Sequence, residues 1–234
     1  QTGTGGASLA VTRFLVDRMI KENIKADFAL GGITGAIVKL HQEGLIKKIL
    51  DVQDFDLEAV RSVKENPFHC VVSGNHYAGS GPEGSAVDQL DMVALSALEV
   101  DIDFNVNVLT GSDGVIRGAI GGHPDAAAGA KMTVVTAPLM RGRIPTILNR
   151  VNTIVTPGST VDVLVTEYGA AVNPLRRDLI ERLTDAGIKL YTIEELQKIA
   201  EGIVGRPKPI EYQDRIVGIV YYRDGSVIDV IKQV

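Results

Sequence analysis

Cysteine is almost missing from these 234 residues, with Cys70 standing alone. A single thiol excludes an internal disulfide and any cysteine-built metal cluster, and it fits a reducing, cytoplasmic compartment. An excess of basic residues is missing too: 24 Lys and Arg stand against 29 Asp and Glu, a net charge of −5. Nucleic-acid binding normally needs a strong basic patch to displace counterions, so no such partner is expected, while smaller anions remain open. No apolar run approaches the ~20 residues that cross a bilayer and no signal peptide is present, so no membrane partner is expected. The four histidines, His41, His69, His76 and His123, are scattered without ligand spacing, and no metal is expected. A starting methionine is absent as well, and "QTGTGGASLAV" reads as the start of a piece or processed half of a longer chain.

Glycine is abundant instead, at 25 residues, which indicates many tight turns and close backbone approaches. Thr4 and neighbouring glycines precede a helical pattern over about residues 7–23, on which Leu9, Phe14, Leu15, Met19 and Ile20 recur near helical spacing. Strands are expected at 26–32 and 47–53, with helices at 33–45 and 55–67, the second halted by Pro67. That alternation predicts parallel strands covered by helices. Further strands are expected in "FHCVVSG", "MVALSALEVD" and "FNVNVLT" and at 131–139, 153–158 and 162–169, with helices at 174–187 and 193–204. Asp224-Gly225 between two β-branched runs predicts a closing hairpin. Ligands of such sheets collect at the carboxyl ends of strands, where glycine clusters fall at 31–35, 121–122 and 168–169.

Each cluster has a plain structural reading beside the functional one. "ALGGITGAIV" could hold an anion on free amides at a helix start, but its spacing is neither a dinucleotide nor a Walker loop, so an empty turn is favoured on local grounds. "AIGGHPDAAAGAK" could bare its backbone to an extended ligand and offer an oxyanion site, or be a cramped, close-packed bulge, and the two readings stand level. His123 suits a structural or contact role better than a general base, and Arg141 and Arg143 could pair with phosphate or carboxylate or sit solvated. Glu99, Asp101 and Asp103 alternate as on one strand face, where acid/base work or a solvated edge explains them equally, and Glu167 sits at a strand end. Cys70 reads as a buried small hydrophobe, and Glu194 and Glu195 as helix-start chemistry.

"LEVDIDFNVNVLTGSDGVIRGAIGGHPDAAAGAK", "APLMRGRIPT", "TPGSTVDVLVTEYGAAVNP" and "RDGSVIDVI" together closely resemble the alpha subunits of bacterial citrate lyase, and more loosely the CoA-transferase superfamily. The resemblance runs along the whole chain and corresponds to the C-terminal half of such a subunit. It implies a three-layer α/β/α domain, residues 1–234, with a mostly parallel sheet and a C-terminal hairpin. It further implies citrate CoA-transferase activity: acetyl exchanged for citryl on a CoA-like prosthetic group (phosphoribosyl-dephospho-CoA) of an acyl carrier subunit, with acetyl-CoA as surrogate. The implied partners are citrate, the beta and gamma subunits, the N-terminal half of the same subunit and further copies in an oligomer.

Carried over by position, Gly31, Gly32, Thr34, Gly35 and Arg141 would contact the CoA-like group, Gly121 and Gly122 would donate amides to the thioester oxygen, and His123 and Asn107 would touch substrate. Where many relatives carry a nucleophilic glutamate, this chain has Gln53, with Asp54 and Asp56 leaving the register open. An amide cannot attack a thioester, so the resemblance implies direct transfer through a mixed anhydride. Two rivals remain: a non-catalytic CoA-binding or assembly half, and a sugar-phosphate isomerase of similar fold, for which no acid/base pair is evident.

Overall fold

The mostly apolar run Ala26–Ile33 and the run Ile46–Asp54 form the first two strands, joined by the helix Gly35–Gln42. They pair in parallel, and His69–Val71 adds a third parallel strand beside Ile46–Asp54. The structure, a computed structural model, describes residues 1–3, 6–81 and 84–234, and only the backbone of Ser8 and Leu9. Thr4 and the Leu9 side chain therefore lie outside the described residues. The first helix runs Gly6–Lys21. Met19 on it packs with Ile33, Ile37, Leu40, Ile49 and Ala59 in one buried cluster.

A second sheet carries the rest of the core. Val93–Ser96, Thr133–Thr136 and Val163–Thr166 lie parallel, Gly169–Val172 turns back antiparallel, and Leu190–Tyr191 closes the edge. Phe104, Leu139, Leu164 and Leu196 are among the side chains fully buried around it. The expected strand at 162–169 is thus two strands, because Glu167 and Tyr168 form the turn between them. The expected strand at 153–158 is not one: among the described residues this segment makes only an isolated bridge, Val106 to Thr156, and runs into a short 3-10 turn at Gly158–Thr160.

The helix Ile193–Val204 matches the expected span, started by a capping box in which Thr192 accepts from the Glu195 amide and Glu195 accepts from the Thr192 amide. The closing hairpin forms as expected, Ile216–Tyr221 against Val227–Lys232, with Gly225 at φ +84° and the Ser226 amide donating to Asp224. The fold is mixed α/β with a mostly parallel central sheet and a C-terminal β-hairpin. No helix among the described residues is long and apolar enough to cross a membrane.

Candidate functional site

The carboxyl ends of strands from both sheets meet over one cavity of about 490 Å³, within the ~300–1,000 Å³ usual for small ligands. Gly31 and Gly32 end the first strand there, Val52 and Gln53 come from the second, Leu95 and Ser96 from the strand Val93–Ser96, and Ala119 to His123 form the facing wall. Two of the three glycine clusters therefore converge on one space. The third does not: Gly169 lies away from the lining, with its backbone against the Tyr191 ring.

Glycine is required at this wall for two different reasons. Gly121 has φ +54°, a left-handed conformation that side chains rarely adopt, and a Cβ on it would meet nothing within 4 Å. A Cβ on Gly122 would lie 2.4 Å from the Tyr77 hydroxyl, which donates to the Gly122 carbonyl at 3.3 Å. Neither the Gly121 nor the Gly122 amide donates to a protein acceptor among the described residues. Ala126 and Ala127, by contrast, are buried, and a Cβ on Gly129 would strike the Val87 backbone at 2.6 Å, so the small residues beyond the loop serve packing.

Of the three residues among which the register was open, only Gln53 lines the cavity. Asp56 caps the helix Leu57–Glu65, one carboxylate oxygen accepting from the Ala59 amide at 2.9 Å and the other from the Gly35 amide at 2.7 Å. Asp54 faces Asp51 and His69 instead. Burial, aided by neighbouring Asp54, pushes the Asp51 carboxyl up to about 7, and burial lowers His69. The Gly35 amide is consequently engaged, and Thr34, the N-cap residue of Gly35–Gln42, keeps its hydroxyl buried without a partner and outside the lining.

His123 lines the cavity but is held at both ring nitrogens, Nε2 3.0 Å from the Ser96 carbonyl and Nδ1 2.6 Å from the Thr156 hydroxyl. Since a carbonyl only accepts, the proton sits on Nε2 and Thr156 donates to Nδ1. Burial depresses the imidazole to about 4, so it is neutral near pH 7 and has no free nitrogen for base chemistry.

Besides Thr34 and Gly35, two more expected contacts lie outside the lining. Asn107 is fully buried; its amide nitrogen donates to Glu99 at 2.7 Å and to Thr110, and its oxygen accepts from the Leu109 and Thr110 amides. The Arg141 guanidinium donates to the Leu98 carbonyl, next to Glu99, and Arg143 is exposed. Glu99 and Asp101 are not on a solvated face. Both are buried, Glu99 accepting from Asn107 and Asn152, and Asp101 from the amides of Asp103, Asn105 and Val151. Burial raises both carboxyls despite these bonds. Glu167 accepts from the Leu139 amide at 2.8 Å, and Cys70 is half-buried over the Pro67 carbonyl. Tyr77 is the wall residue that sequence reasoning missed, because no motif marks it; it reaches the cavity only through the short helix Gly74–Ala78.

Among the described residues the lining contains no Lys, Arg, Asp or Glu. The arrangement thus offers bare backbone, two free amides, the carboxamide residues Gln1 and Gln53 and the hydroxyl residues Thr2, Tyr77 and Ser96, and no side-chain nucleophile of the carboxylate type.

Comparison with known proteins gives the affiliation. A Klebsiella pneumoniae citrate lyase alpha chain is 62% identical over 234 residues, all of this chain and 46% of that protein. An Escherichia coli (strain K12) citrate lyase alpha chain is 60% identical over the same span, again 46% of its length. The chain spans about half the length of the relatives it matches. A Streptococcus mutans crystal structure, described as the alpha subunit of citrate lyase in complex with citrate, superposes with a TM-score of 0.97 at 59% identity, covering 100% of this chain and 46% of that one. A malonate decarboxylase alpha subunit from Acinetobacter baumannii shares the fold alone, at TM-score 0.57 and 15% identity over 88% of this chain and 52% of that one. Residues 1–234 match the family described as citrate lyase, alpha subunit (CitF), and the chain belongs to that family.

Proposed function

We propose that this chain is a single CoA-transferase-like domain, the C-terminal half of a citrate lyase alpha subunit, and that the full subunit exchanges acetyl for citryl on an acyl carrier subunit. The substrates are citrate and the acetyl thioester of a CoA-like prosthetic group, for which acetyl-CoA is the surrogate; the products are the citryl thioester and acetate. The beta and gamma subunits of the lyase complex are the assigned partners, in an oligomer in the cytoplasm. The observation that carries the reading is the convergence of Gly31, Gly32, Gln53, Gly121 and Gly122 on one cavity. Citrate in the Streptococcus mutans relative supports the choice of acid.

A thioester arm fits the residues present. The backbone at Gly121 borders open space, with no atom within 4 Å of where a Cβ would stand, and the free Gly121 and Gly122 amides suit an oxygen that gains negative charge. The bound group supplies the activated acyl carbon. A citrate carboxylate attacks that carbon, the carbon–sulfur bond breaks, and the resulting citric–acetic anhydride is reopened at its citryl carbonyl by the released thiolate, freeing acetate. In this scheme the two amides stabilise the oxyanion at each step, and Gln53 orients a carboxylate or the anhydride by donating its amide N–H. Gln53 forms no covalent intermediate, and neutral His123 shapes the wall without moving a proton. Because the described lining holds no cationic side chain, the counter-charge for citrate comes from the remainder of the full-length subunit.

The test uses the full-length subunit with labelled acetyl-CoA. Label should appear in acetate only when citrate is present, and Gln53→Ala should lower turnover or weaken a substrate. Unchanged turnover and affinities in that variant would remove Gln53 from the site. Intact CoA binding without exchange would establish the rival reading, a binding half without catalysis.

A further inference from the structure

Behind Gln53, and unused by the exchange chemistry, Asp51, Asp54 and His69 come together from two strands. His69 pairs with Ile49 and Val71 with Asp51, so His69 and Asp51 point to the same face of the parallel sheet. Asp54 is three positions beyond Asp51, an odd spacing that would turn it to the opposite face of an unbroken strand. The register shift between Gly31 and Gly32, which pair with Asp51 and Gln53, leaves Val52 as an extra residue and returns Asp54 to the side of Asp51. One bulge therefore both presents Gln53 to the cavity and completes the cluster behind it.

The three side chains offer one ligand atom each, all within 4.8 Å of one another, and His69 Nε2 is 3.1 Å from Asp51 Oδ2. Tetrahedral ligation at ~2.0–2.2 Å separates ligand atoms by roughly 3.3–3.6 Å, so a small ion needs only slight adjustment. The His69 Nδ1 lies 2.9 Å from the Ser62 hydroxyl, the outer contact that orients a ligating imidazole. A separate observation points to a ligand: Asp51 Oδ1 and Asp54 Oδ1 are buried with no donor, and the Asp51 side chain is only 2% exposed. Among the described residues no Lys or Arg forms an ion pair with either carboxyl. Two adjacent carboxyls, Asp51 fully buried and Asp54 partly so, are held together only with a proton or a cation between them.

We propose that Asp51, Asp54 and His69 bind one divalent first-row metal ion of the Zn²⁺ or Mn²⁺ type, water completing the coordination, and that the ion pins the bulge presenting Gln53. An imidazole beside two carboxylates favours such ions over Mg²⁺ or Ca²⁺. Half-exposed Asp54 marks the side of entry.

Full-length subunit stripped with a chelator and titrated calorimetrically with Zn²⁺, and separately with Mn²⁺, should take up one equivalent and gain thermal stability. Asp54→Asn and His69→Gln should each weaken binding at least ~10-fold with the circular dichroism unchanged, and Ser62→Ala by about 10-fold. Cys70→Ser should leave binding intact, which separates this site from adventitious capture by the neighbouring thiol. Folded wild-type protein that takes up no metal, its carboxyls then sharing a proton, overturns the proposal, as does binding that survives Asp54→Asn or disappears with Cys70→Ser. Since the readout is metal uptake, it is independent of whether the subunit exchanges acyl groups.

Discussion

Replacing His123 with glutamine should flatten the acid sensitivity of the fold. In the folded chain this imidazole is depressed from the usual 6.5 to about 4, because it is buried between Ser96 and Thr156. A depressed histidine binds a proton more readily when unfolded, so its contribution is complete above pH ~6.5 and is lost as pH falls toward 4. At ~1.4 kcal/mol per pH unit the full loss exceeds ~3 kcal/mol, of which about 2 kcal/mol is gone by pH 5. Glutamine carries no charge at either pH and retains an N–H for the Ser96 carbonyl. Denaturant unfolding of wild type and variant at pH 8 and pH 5 should therefore show their stability gap shrinking by about 2 kcal/mol at the lower pH. The other titrating groups occur in both proteins and cancel in the difference. Parallel pH profiles, or an imidazole resonance titrating near 6.5 by NMR, would refute the claim that His123 is held neutral, and with it the argument that it cannot serve as an acid/base group.

Gly32→Ala would put a methyl 1.9 Å from Phe55 Cε2. Since Phe55 is 45% exposed and lines the cavity, its ring should swing aside, for about 2 kcal/mol, a Tm lowered by roughly 4–8 °C and a raised KM for citrate; unchanged Tm and KM would contradict the packing. Asp56→Ala removes both the cap on Ala59 and the bond from Gly35. A loss of about 1–2 kcal/mol in denaturant unfolding is expected, mostly restored by Asp56→Asn, and equal losses in the two variants would argue against capping.

The alternation of elements was legible because it rests on local periodicity and on turn residues: the Asp224-Gly225 hairpin and the helix over 193–204 are written in short windows. Convergence of the 31–32 and 121–122 glycines was legible as well, since strand carboxyl ends gather ligands in folds of this kind, though the same rule also placed 168–169 there and Gln53 was marked only by the family resemblance. What remained hidden is set by distant partners. Glu99 and Asp101 look like solvated carboxylates until amides from Val151 and Asn152, some fifty residues on, arrive to hold them in the core. The Gly35 amide looks free until Asp56 takes it, and the cluster of Asp51, Asp54 and His69 depends on a bulge that no local pattern announces. Asn107 and Arg141 owe their positions to the same buried network and not to the cavity.

The wall that carries Gly121 hangs between two anchors. At one end the Arg117 and Gly118 amides both donate to the Leu109 carbonyl, on the turn that Asn107 secures; at the other the His123 ring is fixed on both sides. Between them run only Ala119, Ile120, Gly121 and Gly122, too short a span to swing as a flap. Hydrogen exchange should therefore read as a step pattern, slow at 117 and 118 and fast at 121 and 122: a taut strap whose exposed amides stay available because its ends do not move.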